Sequence, residues 1–565
     1  MGQALRNRFP LIQSETTILR KTIKIHPADN VLVALVNLEN GETIHHEDST
    51  ITLIQEVPAK HKFTIQPVKQ GEEIIMYGII VGKALENLSK GSVITTENIK
   101  HATNSFGRKT GVFNSIKPDI SKFEKRKFQG FHRDDGQVGT ANYWLVIPLV
   151  FCENRNVEII KQAFLEELGF SKPNPFKNLV KQMKKALTLG GPSEVEALSL
   201  DEAKNTTENR FFENIDGIKF LTHQGGCGGT RQDSEMLCSL LAGYLNNPNV
   251  AGGTVLSLGC QNAQISLLEE KLKVINKNFS KPLIVLEQQQ EGTEIALLTK
   301  AIKATFVGMA EANSQERKPA PLSKLCIGLE CGGSDGFSGI SANPSVGHAS
   351  DLIVALGGKT ILSEFPELCG VEQELINRCV DENTAEKFAQ LMKAYSASAA
   401  AVGSGFDMNP SPGNIKDGLI TDAIKSAGAA KKGGTSPVSD VLDYGEYVNK
   451  AGLNLLCTPG NDVESTTAMA GSGANVILFT TGLGTPTGNP IAPVVKISSN
   501  TTLSQRMPDI IDFNTGEIIT GEKTIEEMGE ELLEMIIKVA SGEVVPKAVA
   551  LGQDDFIPWK RGVSL

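Results

Sequence analysis

Between residue 23 and about residue 100, apolar positions fall in short runs separated by turn residues. Residues 31–36 are a compact apolar run, 51–57 alternate apolar with polar, Phe63 and Ile65 alternate again, and 74–80 are a further run. Asn40-Gly41, Gly71 and Lys90-Gly91 stand between them and favour tight turns. No ten-residue stretch carries the 3.6-residue period of an amphipathic helix. The pattern predicts a small all-β domain over residues 1–102. Residues 103–127 are polar, lack either period and end in KPDISKFEKRK. They read as a linker, or as an extended arm packed on a neighbour.

The pattern changes at Gly130. Residues 143–150 are continuously apolar, as in a strand buried on both faces of a parallel sheet. Val157, Ile160, Phe164 and Leu168 follow at helical spacing, with Asn154 or Asn156 as N-cap. Strand-like runs recur at 218–222, 254–258 and 283–286, each followed by a polar or glycine-rich loop, which predicts an α/β domain over 128–312. The polar SQERKPAP then marks a boundary. A second α/β domain over 313–565 opens with an apolar strand at 325–329. Further strands are expected at 352–356, 359–362, 453–457 and 475–480. Its last helix has a Thr524/Glu527 capping box, an apolar face of Ile525, Met528, Leu532, Met535, Ile536 and Val539, and Gly542 as stop.

At 565 residues the chain is long enough for two to four domains. Its net charge of −10 argues against a nucleic-acid partner. The first twenty residues carry Arg6, Arg8, Glu15 and Arg20 instead of an apolar leader, and no run approaches the roughly 18 residues that span a bilayer. A cytoplasmic protein with no membrane partner is the expectation. Nine cysteines, an odd number, then read as thiols, metal ligands or core residues.

Loops that follow strands carry the candidate chemistry, because strand C-termini line the ligand crevice of an α/β sheet. The segment LECGGSDG places Cys331, Ser334 and Asp335 in such a loop; HQGGCGG places His223 and Cys227, and LGCQN places Cys260. The three cysteines occupy equivalent positions and together suit iron or zinc, with His223 or Asp335 nearby. Each also reads singly as a small apolar residue in a tight turn. No C-x-x-C pair exists, which excludes zinc-ribbon and ferredoxin spacings. TPGND (Thr458, Asn461, Asp462), FTTGLGTPTGNP (Thr480, Thr481) and Lys496 add hydroxyls, amides and a cation, the groups that bind a polyhydroxy acid and its carboxylate. Lys496 reads equally as a solvated surface charge. The glycines at 482, 484 and 488 are followed by Pro490 and Pro493, against a dinucleotide loop. Of eight histidines, His223 shares a loop with a cysteine, and His61 follows a proline turn in the β domain.

The motifs GFHRDDGQVGTANYW, HQGGCGG, LGCQN, LECGGSDGFSGISANPSVG, GGKTILSEFPELCG, KGGTSPVSDVLDYGE, TPGNDVEST, LFTTGLGTPTG and KISSNT run in order from about 128 to 520. They resemble the altronate dehydratase/galactarate dehydratase family, and DNVLVAL, PAKHKF and YGIIVGKA resemble its small β-clip (SAF) domain. The resemblance implies a β-clip domain, a linker, a middle domain used in dimerisation and a C-terminal Rossmann-like domain with a metal site. It implies a homodimeric lyase that dehydrates a sugar acid with iron(II), or manganese(II). VIPLVFCENRN is similar to the altronate branch, whose product is 2-dehydro-3-deoxygluconate in hexuronate catabolism. Galactarate dehydration, a sulfo-lyase acting on sulfolactate and a cysteine-ligated iron–sulfur oxidoreductase are the alternatives. The family's VHxHN segment is only partly matched by KHATN: His101 and Asn104 remain, but Thr103 replaces the second histidine. The expected roles are proton transfer by His61 and His223, and metal binding by Cys227, Cys260, Cys331, Asp335 and Asp462. Substrate binding falls to Ser334, Asn461, Thr480, Thr481 and Lys496.

Overall fold

The computed structural model describes residues 20–565 apart from 48, 112, 116, 173 and 201–209. The expected architecture is observed: a small all-β domain, then two α/β domains, the second built on a Rossmann-like parallel sheet. In the first domain, Thr22–Ile23, Val31–Ala34 and Lys62–Thr64 form one antiparallel sheet and Glu73–Met76, Ile79–Ala84 and Ile99–Lys100 another. The hairpin Thr43–His46/Ser49–Thr52 closes over Leu32, Ile44, Ile51, Leu53 and Phe63. These strands are short, two to six residues each. The domain is seated on the C-terminal one: Thr421 Oγ1 donates to Val81 O at 2.8 Å. The Tyr77 hydroxyl fits against Gly339, where any Cβ would collide with it.

Residues 103–127 are the extended arm, not a free linker. Phe123 is fully buried, Gly107 N donates to Gln373, and Arg126 forms a two-pronged pair with Glu534 at 2.7 Å.

In the middle domain, Gly217–Phe220, Tyr143–Pro148, Val250–Ser257 and Leu283–Glu287 form a parallel sheet in that order. Helices Asn154–Leu165 and Glu294–Ala312 pack one face around buried Trp144. Helix Arg231–Asn246 covers the other and shares a core with the C-terminal domain through Leu240, Tyr244, Ala468 and Phe479. It approaches helix Asp462–Gly471 so closely that a side chain at Gly243 would strike Gly471 O. The expected boundary SQERKPAP is half strand: Arg317–Pro321 pairs with Lys127–His132 at a sheet edge, where proline costs no ladder bond.

The C-terminal sheet has seven parallel strands, in the order Val438–Leu442, Gly452–Leu456, Lys359–Leu362, Cys326–Cys331, Val476–Thr481, Val494–Ser498, Phe513–Asn514. The strands that follow Cys326–Cys331 are placed on one side of it up to Gly452–Leu456 and on the other from Val476–Thr481 on, so the topological switch lies between Cys326–Cys331 and Val476–Thr481. A ligand crevice is expected beyond their carboxyl ends. The expected strand at 352–356 is instead the end of helix Ala342–Ala355 and its C-cap. That helix is buried on most of its surface, between the sheet and helix Ile525–Ala540. A continuous apolar run therefore does not distinguish it from a buried strand.

Candidate active site

The strand ends at the switch point gather an unusual number of buried charges. Glu330 and Cys331 end the central strand, Glu364 and Glu367 follow Lys359–Leu362, and Asp462 opens its helix. Lys432 enters from the turn Ala430–Gly433, and Lys496 from the strand Val494–Ser498. Lys432 Nζ lies 2.7 Å from both Cys331 Sγ and Glu364 Oε2, and Cys331 Sγ lies 3.4 Å from Glu367 Oε2. Lys425 Nζ donates to Glu367 Oε1 at 2.6 Å, and Ser465 Oγ to Glu330 Oε2 at 2.6 Å. Glu364 has φ +64° and ψ +60°, the left-handed region that costs a non-glycine residue of order 1 kcal/mol or more. Its amide is held there by Thr458 Oγ1 at 2.8 Å.

One oxygen each of Glu330 and Glu364, and the ammonium nitrogen of Lys496, are buried without a hydrogen-bond partner. Carboxylate oxygens of Glu330, Glu364 and Asp462 lie within 4.8 Å of one another; donor atoms of Cys331, Glu364 and Glu367 form a second such group. Lys496 Nζ stands 3.6 Å from the Phe479 ring centroid. Burial, reinforced by the Glu364 charge, pushes the Glu330 carboxyl well up, and burial with Glu367 beside it raises Glu364. Burial, then Glu364 and Glu367, push Asp462 up to about 7. Burial would raise Glu367 too, but Lys425 and Lys432 hold it below the usual carboxylate value. Burial brings Lys496 down to about 7 against the opposing pull of Asp462. Converging carboxylates with unsatisfied oxygens are costly unless a proton or a cation sits among them. The oxygen set Glu330, Glu364 and Asp462 fits a hard divalent ion. The open side faces Asn461 and Asp462, since the other carboxylates are fully enclosed.

The loop after Cys331 forms the wall toward the N-terminal domain. Asp335 is fully buried, and its Oδ1 accepts from Ser338 N, Ser338 Oγ and Ser499 Oγ at 2.8–2.9 Å. Its Oδ2 accepts from Asn500 and pairs with Lys60 at 3.0 Å. Lys60 also pairs with Asp417, His61 Nε2 lies 3.0 Å from Lys416 O, and Lys62 donates to Gly418 O at 2.7 Å. Three consecutive residues of the β domain thus enter the C-terminal domain beside the switch-point loop. Burial lowers the His61 pKa, and its Nδ1 has no hydrogen-bond partner among the described residues.

Several expected roles are corrected by this geometry. Cys227 and Cys260 are exposed on middle-domain loops, and neither joins a ligand cluster among the described residues. Cys331 is enclosed by Lys432, Glu364 and Glu367 instead, so the three-cysteine site does not form. Asp335 spends its oxygens on hydrogen bonds and Lys60, leaving none for a metal. His223 is engaged at both ring nitrogens, Nε2 with Pro148 O at 2.7 Å and Nδ1 accepting from Gly225 N at 3.1 Å. Burial brings it down to about 4, so it is a neutral structural ring lining a cavity of about 450 Å³ between the middle-domain loops and residues 556–560. Asn461 Oδ1 is used as the N-cap of helix Asp462–Gly471. Thr480 Oγ1 donates to Asn343 at 2.6 Å, and Thr481 Oγ1 accepts from Gly484 N at 3.0 Å; both hydroxyls brace the loops. Ser334 is buried, and its carbonyl accepts from Asn414. Asp462 and Lys496 do lie in the cluster, and Lys496 is wholly buried instead of solvated.

Glu330, Glu364, Glu367, Lys425 and Lys432 were not anticipated. Glu330 left a trace, as the one charge within an apolar strand, and Glu364 and Lys432 lie in SEFPE and KKGGT. Nothing local shows that these segments meet.

The chain matches the family models for the altronate/galactarate dehydratase SAF domain over 20–102, the second domain of D-galactarate dehydratase/altronate hydrolase over 130–313, and the D-galactarate/altronate dehydratase C-terminal domain over 322–564. It is 34% identical over 553 residues to altronate dehydratase of Bacillus subtilis (strain 168), covering 97% of this chain and 100% of that one. The chain belongs to the altronate/galactarate dehydratase family. It is therefore a hydro-lyase, and its β domain is an SAF domain. It is also 34% identical over 550 residues to altronate dehydratase of Escherichia coli (strain K12), covering 96% of this chain and 99% of that one. Identity to the L-threo-forming galactarate dehydratase of the same strain is 29% over 527 residues, covering 92% and 93%.

Proposed function

We propose that the enzyme dehydrates D-altronate to 2-dehydro-3-deoxy-D-gluconate and water, in the cytoplasm, as a step in hexuronate catabolism. The observation that carries this reading is the trio Glu330, Glu364 and Asp462 with its unpartnered oxygens, set opposite the unpartnered ammonium of Lys496. Likeness to two altronate dehydratases over nearly the whole chain supports altronate over galactarate.

The reaction removes the C2 proton and the C3 hydroxyl, and the resulting enol tautomerises to the 2-keto acid. Negative charge grows on the substrate carboxylate as the C2–H bond breaks, so a fixed cation there lowers the barrier. Lys496, which burial brings down to about 7, is held charged by the substrate carboxylate beside it and supplies that cation in a dry site, where charge is little screened. Glu330, Glu364 and Asp462 would hold iron(II), or manganese(II). Such an ion supplies Lewis acidity toward substrate oxygens. Lys432 and Lys425 keep Glu364 and Glu367 in place when the trio is empty. His61 is the proton-transfer group, since Nδ1 remains for it while Nε2 is anchored on Lys416 O.

The dimer forms through helix Pro175–Gly190. This helix buries no residue among those described and exposes Phe176, Val180, Met183 and Leu187 along one face.

The test is anaerobic assay with iron(II) and reductant, following keto-acid formation from altronate and galactarate. Turnover of altronate is expected. Turnover of galactarate alone would move the substrate within the family, and no keto acid from any hexonate or hexarate would remove the reading.

A further inference from the structure

A third group of donors lies where the SAF domain ends. His101 follows the strand Ile99–Lys100. Cys369 follows the turn Phe365–Leu368, and Asp422 opens helix Asp422–Ala429. One donor atom from each lies within 4.8 Å of the others. Asp422 is 0% exposed, its Oδ2 has no hydrogen-bond partner, and no cation pairs with it among the described residues. The nearest candidate, Lys425, is spent on Glu367 and Asn409. His101 Nδ1 is likewise buried and without a partner. Two residues of one donor cluster, one of them a fully buried carboxylate, thus each carry a buried polar atom without a hydrogen-bond partner. Desolvating such groups for nothing costs kilocalories. Donors on one tetrahedral ion with bonds of about 2.0–2.3 Å stand about 3–4 Å apart, a spacing that the 4.8 Å limit here accommodates.

We propose that His101, Cys369 and Asp422 form a divalent-metal site separate from the carboxylate trio. A nitrogen, sulfur and oxygen set suits zinc(II), or iron(II), above magnesium or calcium. The ligands come from two domains, so the ion fastens the end of the SAF domain onto the C-terminal domain. The two sites share no donor. The trio contains no thiol, and the seam site contains one, which makes them spectroscopically distinct.

The experiment uses the metal-free full-length protein titrated with cobalt(II). Bound cobalt should give a near-ultraviolet sulfur-to-metal charge-transfer band. Cys369→Ser should abolish that band. His101→Ala should weaken the titration by more than about 100-fold, since even outer-shell partners of metal ligands cost 10–100-fold. Cys331→Ser should leave the band intact, because Cys331 is the thiol beside the other cluster. Zinc content by elemental analysis should fall in Cys369→Ser relative to the parent, with unchanged circular dichroism showing that the variant folds. Absence of a thiolate band in Cys331→Ser, or a Cys331→Ser band that survives the added Cys369→Ser change, overturns the proposal. Neither result bears on keto-acid formation, so this site and the dehydratase reading fail separately.

Discussion

Lys60 Nζ lies 3.0 Å from Asp335 Oδ2, a contact between residues 275 positions apart that joins the SAF domain to the loop at the centre of the parallel sheet. Asp335 is fully enclosed, and Lys60 supplies the opposite charge beside it. Removing one partner of a buried pair costs about 3–5 kcal/mol. Asp335 keeps its bonds from Ser338, Ser499 and Asn500, which brings the expected loss for Lys60→Met to about 2–3 kcal/mol. The midpoint of urea unfolding reads this directly, and turnover should fall at least about tenfold, because the Lys60 pairs with Asp335 and Asp417 that help seat residues 60–62 against the C-terminal domain are lost. A variant with parental stability and turnover would show the contact to be incidental.

Glu330→Gln and Glu364→Gln each remove a charge from the trio. Iron(II) affinity is expected to drop by more than about 100-fold in either variant, measured by anaerobic titration. Metal-free Glu330→Gln should be as stable as the parent or more so, because one of three crowded carboxylates becomes neutral, whereas Glu364→Gln also takes the charge partner from buried Lys432 and should lose stability. Retention of parental iron affinity by both variants would move the metal elsewhere.

Lys496→Met separates stability from function. Methionine fills similar volume without an unpartnered ammonium, so unfolding stability should be unchanged or rise by about 1 kcal/mol. The specificity constant kcat/KM for altronate should fall by about 100-fold or more. Parallel loss of both would indicate a structural lysine.

His223 makes stability depend on pH. Its folded pKa of about 4 is below the ordinary 6.5, so the unfolded chain binds the additional proton between those values. The contribution is complete above pH 6.5 and is lost as pH falls toward 4, about 3 kcal/mol in all. Urea midpoints from pH 7 to pH 4 should show this slope, and His223→Gln should flatten it. The same variant should retain its pH–rate profile above pH 6, because neither ring nitrogen is free for proton transfer.

Leu187→Glu places a charge in the apolar face of helix Pro175–Gly190. If that face is the dimer contact, sedimentation should show a monomer with native circular dichroism. An unchanged dimer would exclude this helix.

Periodicity in the sequence determined the order of domains, because strands of alternating or continuous apolar residues and helices of period 3.6 are local consequences of burying one face or two. It also singled out the loops at 331–335, 458–462 and 480–485, since glycine and hydroxyl residues after an apolar strand signal the carboxyl edge of a parallel sheet. It could not separate a buried helix from a strand at 352–356, where every face is apolar. Tertiary structure alone decided the site. Cysteines 227, 260 and 331 look equivalent along the chain, yet two stand exposed on another sheet and the third is walled in by Lys432 and two glutamates. Glu330, Glu364 and Asp462 are 34 and 98 residues apart in sequence and share one pocket because a parallel sheet stacks its strand ends side by side. Their chemistry depends on burial and on which charges face each other, properties of the assembled core that no single segment carries.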